Sequence, residues 1–501
     1  LSQAIAAITN PTPRGRHTNP WVVLVLVCMA QFMVILDSTI VNVALPSIQR
    51  DLHFSPDNLQ WVVNAYTLVL GGFLLLGGRA GDLFGRKRLF LLGVALFTIA
   101  SLANGIGASP GMLIAFRALQ GFAAAFISPA ALSIVTTTFT DGRQRAKALA
   151  VWAAIAIGGA SIGLIVGGAL TEYLSWRWNF FVNIPVGIVV IVLAWRLLPA
   201  MRSEAEESAH GFDIGGAMTA TLGLMVLVYG IVGANQYGWF ATRTIGLLVA
   251  GIILLVIFVA IERRVAHPLV RLSIFRIRPL RAADITMLIV AGGMFSVFFF
   301  ASLYVQEILG FSPLRAGLGF LPLMAAIIIS ANAAQRLVGP LGIKMTALLG
   351  MGIAAVGLGL MTMISVHGSY VTEVLPGLIV MGLGLGLTFM PLTMLATYGS
   401  DAEDAGLASG LLNASQQVGG SLGLAVLSTL AASQASAHIS GLGHLPGAID
   451  QARAQVVGYQ AAFWASAALM LLGAGLLAVL IRSDEARVDD VAISLQPVID
   501  V

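Results

Sequence analysis

Long apolar runs separated by short polar connections repeat along the whole 501-residue chain. Fourteen of them have the length, about 20 residues, that a helix needs to cross a hydrocarbon core about 30 Å thick. They cover 21–45, 58–77, 88–107, 110–135, 146–170, 177–198, 212–232, 243–262, 281–306, 313–338, 344–364, 370–398, 405–431 and 459–481. The short alternating segments of a β-barrel are not seen. The pattern therefore predicts an all-α membrane protein of fourteen transmembrane helices, and an even number of spans returns both termini to one side.

The polar connections orient the chain. Of the 27 Lys and Arg residues, Arg117 lies within a span and five (Arg50, Arg177, Arg243, Arg315 and Arg453) fall in the connections opposite the termini. The other 21 share the side of the termini. The positive-inside rule makes that side cytoplasmic. The basic balance, net +4, is thus an orientation signal and not a nucleic-acid footprint. Composition agrees with a membrane solvent: 58% of residues are hydrophobic and 10% charged, with mean hydropathy +0.92, too little polar surface to cover a water-soluble globule. The single cysteine, Cys28, excludes an internal disulfide, and the seven histidines lack metal-ligand spacing, so no metal site is expected. No Walker-type phosphate loop and no nucleophile beside a base is present, so neither ATP-driven transport nor an enzyme is expected, and no catalytic residue is assigned.

Two charges inside the spans carry the chemistry. Asp37 interrupts the first run in FMVILDSTIVNVALPSI, where a carboxylate costs about 2.5–3.5 kcal/mol even on lenient insertion scales. Asp213, Glu262, Asp284 and Glu307 fall near helix ends, so elimination makes Asp37 the main proton site. Burial favours its neutral acid and a nearby cation its carboxylate, so it could load and release protons as a cavity opens to either face. The alternative is an aspartate hydrogen-bonded to Ser38, Thr39 or Asn42 that never titrates. Arg117, in RALQG, stands one turn from Gln120 on one helix face, with Gly121 admitting a neighbour. It pairs with Asp37 or is satisfied by backbone carbonyls.

A weak internal repeat relates GGRAGDLFGRKR (77–88) to AQRLVGPLGIKM (334–345), matching Gly85 to Gly342, and IGGASIG (157–163) to VGGSLG (418–423). Repeats of this kind are a transporter trait. In the first segment Gly78 allows close helix approach, Asp82 sits near a helix end, Gly85 permits a turn, and Arg86, Lys87 and Arg88 follow. This is either a basic membrane anchor or a charge lock that breaks when two halves rock. The segment resembles the motif between the second and third helices of the major facilitator superfamily. With LDSTIVNVALPSI, QWVVNAY, RALQGFAAA, WRWNFFVNIPVG and YVQEILGFSPLRAGLGFLP, the chain from about 20 to 480 is similar to the fourteen-helix drug:proton antiporters of the EmrB/QacA type.

That resemblance implies a major facilitator fold. A cytoplasmic tail (1–20) precedes a six-helix bundle (21–198), a cytoplasmic loop with two additional helices (199–280), a second six-helix bundle (281–481) and a cytoplasmic tail (482–501). It implies proton-coupled efflux of lipophilic, cationic drugs or toxic metabolites across the cytoplasmic membrane by alternating access, using the proton gradient and no cofactor. Asp37 and Arg117 would couple protons. Gly78, Asp82, Gly85, Arg86 and Arg88 would form the conformational lock. Asn42, Trp61, Tyr66, Gln120, Phe298, Tyr304 and Gln306 are candidates for the substrate cavity, although aromatic side chains more often pack helices or face lipid. The fifth helix departs from the family: GGASIGLIVGG (158–168) has Leu164 in place of a proline, which predicts a straighter helix. Gly159, Gly163 and Gly167, joined by Gly168, still provide a small-residue face. The expected partners are lipophilic small molecules, protons and the lipid bilayer, with no nucleic acid, and the protein is expected to act as a monomer. The alternatives are a dedicated exporter of one endogenous metabolite or antibiotic, and a non-transporting membrane sensor or scaffold, which lacks the soluble domain it would need.

Overall fold

The computed structural model describes residues 19–198, 213–265, 268–398, 405–442 and 444–481. The two tails and the acidic stretch 201–212 lie outside the described residues, as do the side chains of Asp57, Asp82 and a few other residues within the helices. The spanning helices are α1 Pro20–Leu52, α2 Trp61–Phe84, α3 Arg86–Gly105, α4 Pro110–Thr138, α5 Gly142–Tyr173, α6 Trp178–Leu197, α7 Ile214–Tyr237, α8 Thr242–Glu262 and α9 Arg278–Ile308. Next comes a helical stretch of 49 residues, Pro313–Met361. At 1.5 Å per residue that stretch is about 74 Å long, far beyond one crossing. It breaks at Gly342, whose φ of 80° and ψ of 162° no helix contains. It therefore comprises two spans, α10 (313–341) and α11 (343–361). With α12 Tyr370–Thr397, α13 Ala405–Ser440 and α14 Ala448–Leu480, the described chain crosses fourteen times.

Local chemistry starts these helices where the sequence permits. Asn19, Ser109 and Ser312 each precede a proline at the first helical position and accept a backbone N–H of the first turn, while Asp141 and Asp213 do the same without proline. The ends of α1, α13 and α14 extend past the apolar runs, because a helix continues through the polar interface for as long as its backbone is paired.

Helices α1–α6 and α9–α14 form the two halves. The side on which α1 begins is called the near face, and the opposite side the far face. The internal repeat has a geometric counterpart. Gly85 (φ 92°) and Gly342 (φ 80°) turn the chain between successive near-face helix ends, in a region that disfavours side chains. Two residues later, Lys87 Nζ donates to the carbonyls of Trp195 (2.9 Å) and Leu198 (2.5 Å), and Lys344 Nζ to those of Ala478 (2.9 Å) and Ile481 (2.5 Å). Each lysine thus caps the last helix of its own half, at the negative end of the helix dipole.

The additional hairpin α7–α8 covers the seam between α2 and α13. Thr221 fills the space at Gly72, the Tyr229 ring lies 6.3 Å from that of Trp61, and Thr429 Oγ1 donates to the Ile231 carbonyl (3.2 Å). Beneath it Thr67 and Ser421 share a hydrogen bond between the halves. On the far face the halves also meet. Ser302 Oγ donates to Asn42 O (2.9 Å), Gln306 Nε2 to Val43 O (3.0 Å), and the Leu314 N–H to Glu172 Oε2 (3.0 Å). The closest approach is glycine-made: a methyl on Gly317 would lie 2.2 Å from the Leu164 carbonyl oxygen, and one on Gly168 2.6 Å from Leu314 Cα.

Candidate functional site

Four helices of the first half converge on Asp37. Its side chain is completely buried, as is that of Gln120, and Arg117 is 1% exposed. Arg117 Nη1 lies 2.5 Å from Asp37 Oδ2 and 2.9 Å from Gln120 Oε1, while its Nε donates to the Val62 carbonyl (2.9 Å). The guanidinium also sits over the Tyr66 ring, 4.4 Å from its centroid. Asp37 Oδ1 accepts from Gln120 Nε2 and from Asn183 Nδ2, both at 2.9 Å. On α3, Ser101 Oγ accepts from Gln120 Nε2 (2.8 Å), and Asn104 Nδ2 donates to Gln120 Oε1 (2.7 Å). The charge of each partner is therefore balanced inside a network built from α1, α3, α4 and α6. Such a buried pair is strongly destabilised when one member alone is removed or neutralised. Ser38 and Thr39 hydrogen-bond to carbonyls of their own helix and not to Asp37.

No local signal in the sequence marks Ser101, Asn104 or Asn183 as members of this network. Asn183 stands in WRWNFFVNIPVG, whose other polar members act on the far face. There Arg177 bonds Asp51, stacks on Trp176 (4.4 Å) and donates to Gly107 O (3.1 Å), while Trp176 Nε1 donates to Asp51 Oδ2 (2.9 Å).

The glycine face of α5 packs on α1 beside this network. A methyl on Gly163 would meet Thr39 Oγ1 at 2.1 Å, one on Gly167 the Ile40 carbonyl at 2.8 Å, and one on Gly159 the Phe32 ring at 3.2 Å. Gly168 instead faces α10. Helix α5 runs unbroken for 32 residues with no internal proline, and Leu164 is buried.

The seven cavity candidates do not share one surface. Tyr66 and Gln120 belong to the charged network. Trp61 is 7% exposed, packed in the seam with α7. Tyr304 is buried in the second half, where its hydroxyl donates to Ser365 O (2.8 Å) and lies 3.2 Å from Glu373 Oε2. Phe298 stacks on Phe320 at 5.8 Å. Asn42 Nδ2 turns back to Ser38 O (3.3 Å), and Gln306 spans the two halves. Asn42, Phe298 and Gln306 remain partly exposed, close to where α1 and α9 meet.

Among the lock residues, Gly85 forms the turn and Arg88 is exposed, whereas Gly77 makes the tight contact expected of Gly78. A methyl on Gly77 would lie 1.9 Å from Ala125 O, against 3.8 Å to Pro129 for Gly78. Arg86 is half-buried, and the Asp82 side chain lies outside the described residues. Lys87, absent from the predicted lock, has the best-defined partners. Asp284, expected near a helix end, is the seventh residue of α9 and is buried there. No group of three or more metal-ligating side chains exists among the described residues.

Comparison with known proteins agrees with this architecture. The puromycin resistance protein of Streptomyces alboniger is 39% identical over 488 residues, covering 97% of this chain and 95% of that protein. The cephamycin export protein of Amycolatopsis lactamdurans is 38% identical over 415 residues, covering 82% of this chain and 85% of its own. A solved bacterial homologue of the human lysosomal transporter Spinster shares the fold at a TM-score of 0.66 and 15% identity, with 93% of this chain and 98% of that one covered. The family profile described as Major Facilitator Superfamily matches residues 27–424, and this multi-pass membrane protein belongs to that superfamily.

Proposed function

We propose that the protein exports lipophilic small molecules across the cytoplasmic membrane in exchange for protons, as a monomer and without a cofactor. The observation that carries this reading is the buried Asp37–Arg117 pair with its Gln120 and Asn183 donors. Protonation of Asp37 removes the negative charge that balances Arg117 and frees the guanidinium to seek another acceptor. The energy of that rearrangement is available to move the helices that carry the four residues. The near face is the cytoplasmic one on the charge distribution, so the far-face contacts are those that must part for the path between the halves to open outward. Asp82, Gly85, Arg86 and Arg88 act at the near face as the lock that is remade when the halves rock back.

The test is efflux from proteoliposomes under an imposed pH gradient. Export that collapses with a protonophore supports the reading, and export indifferent to the gradient overturns it. A second reading is favoured by the relatives themselves, whose names each specify one antibiotic: puromycin in one, cephamycin in the other. A dedicated exporter of a single product would use the same helices and proton site. A panel of chemically unrelated lipophilic compounds separates the two, because a dedicated exporter moves one class of them and a multidrug exporter several.

A further inference from the structure

The second half contains a buried acid that the coupling network does not use. Asp284 is the seventh residue of α9, about 9 Å along the helix from its near-face end. It is 4% exposed, and both of its carboxyl oxygens are sealed from solvent with no hydrogen bond from a described residue. Its surroundings follow from helix register. Leu288 packs on Gly419 and Gly292 on Gly423, so one turn earlier on both parallel helices Asp284 faces Ser415 of α13, the polar side chain beside it. The glycines bring the two backbones close enough to exclude water from the seam.

No charge compensates this carboxyl. The near-face parts of α12, α13 and α14 carry no ionisable residue among those described, and Asp37 on α1 belongs to the other half's network. Arg276, Arg278 and Arg281 lie at the near-face start of α9, and none donates to Asp284. A carboxylate with no counter-charge and only the Ser415 hydroxyl beside it is among the costliest groups to bury, whereas the same group carrying a proton is a neutral polar side chain with one hydroxyl. Ser415 is half-buried, so the seam is least covered beside it, on the near-face side of the glycine contacts.

We propose that Asp284 is a second proton-binding site, which holds its proton while the α9–α13 seam is packed and gives it up to near-face water when the seam opens beside Ser415. In that step the carboxyl O–H bond breaks, the proton passes to water and the carboxylate becomes hydrated. The inference rests on the exporter reading only for its role in transport. Proton binding itself requires neither substrate nor gradient.

The test is infrared difference spectroscopy of the purified protein across a pH titration, with 13C-labelled aspartate to separate Asp from Glu. A protonated aspartate carboxyl band is expected in the wild type and in Asp37→Asn, and its loss is expected in Asp284→Asn. Ser415→Ala, which leaves the carboxyl in place, should shift the band, and this readout serves if Asp284→Asn fails to fold. A spectrum of Asp284→Asn identical to the wild type, or an unshifted band in Ser415→Ala, overturns the assignment. If the band behaves as expected but proteoliposomes show no gradient-driven export, the exporter reading fails and the proton site stands.

Discussion

Asp37→Asn isolates what the buried pair contributes. The amide has nearly the volume of the carboxylate, so any effect is electrical and not steric. In the wild type three donors converge on Asp37: Arg117 Nη1 on Oδ2, and Gln120 Nε2 and Asn183 Nδ2 on Oδ1. Asparagine offers one acceptor and one donor. If its oxygen keeps Gln120 and Asn183, its NH2 group points at the guanidinium, donor against donor. If its oxygen turns to Arg117, both neutral amides lose their acceptor. Either arrangement leaves Arg117, 1% exposed, without a counter-charge. Breaking a buried pair from one side costs about 3–5 kcal/mol. The variant should therefore insert and fold, unfold at lower denaturant in mixed micelles by about that free energy, and lose gradient-driven export. The double variant Asp37→Asn/Arg117→Gln removes the orphaned charge, so it should recover part of the stability and none of the export. The resulting interaction energy is read from the double-mutant cycle. Wild-type stability in Asp37→Asn, or equal destabilisation in the single and double variants, would refute the argument that the two charges balance each other in this state.

Other substitutions probe the surrounding parts. Arg117→Lys retains a charge but cannot reach Asp37, Gln120 and the Val62 carbonyl together, so gradient-driven export should fall at least tenfold while insertion persists, and near-normal export would count against the role of the planar fork. Gly317→Ala sets a methyl 2.2 Å from the Leu164 carbonyl across the halves, so it should disfavour far-face closure and raise the reactivity of a cysteine placed at Ser312 towards a far-side thiol reagent. Lys87→Ala and Lys344→Ala each uncap the last helix of one half, and each should lower stability by about 1–2 kcal/mol in unfolding titrations, with similar values because the geometry is repeated. Leu164→Pro removes the hydrogen bond from residue 164 to the carbonyl of Ala160 and should bend α5, decreasing proton leak in substrate-free vesicles; unchanged leak with destroyed transport would mean that the glycine face alone does not carry the antiport function.

Legibility in the sequence followed the cost of the feature. Asp37 and Arg117 stand out because a charge in an apolar run is expensive, and elimination leaves few candidates. Ser101, Asn104 and Asn183 are hidden because neutral polar residues are common in membrane helices, and nothing local separates those that join a buried network from those that bond their own backbone, as Ser38 and Thr39 do. The glycine ladder of α5 was readable from its spacing alone. The fate of Trp61 and Tyr304 was not, because which neighbour covers an aromatic ring depends on contacts far away in sequence: with α7 for Trp61, and with the connection around Ser365 for Tyr304. Lys87 reads locally as one of three basic residues at a membrane surface, and its partners lie more than a hundred residues away. Asp284 lies near the start of its apolar run, and its burial depends on the cover of α13, which no local pattern shows.

The repeat and the charges obey different rules, and the difference bears on how the halves move. Both halves reuse one backbone device, a left-handed glycine followed by a capping lysine, so each six-helix bundle closes on its own last helix and can move as a unit. The ionisable groups are not repeated. The first half balances Asp37 against Arg117 within a network that reaches four helices, so a change of protonation there perturbs most of that bundle. In the second half Asp284 has no counter-charge and sits in the glycine-lined seam of α9 and α13, so a change of its protonation acts first on those two helices. Between the halves, the far face is joined by a few hydrogen bonds, bare backbone contacts and an apolar cluster to which Ile40, Leu164 and Phe299 all belong. The flank under α7 is different. Thr67 and Ser421 bond one another there, and the hairpin rests on α2 and α13 at once through Thr221, Tyr229 and Ile231. Any motion that parts the halves on that flank must break buried polar and aromatic contacts together, whereas the far-face contacts of α1 with α9 and α5 with α10 can open without disturbing the hairpin. The contacts that must part therefore differ around the molecule: backbone and apolar packing where glycine meets carbonyl, and buried hydroxyl and ring contacts where the additional helices are docked.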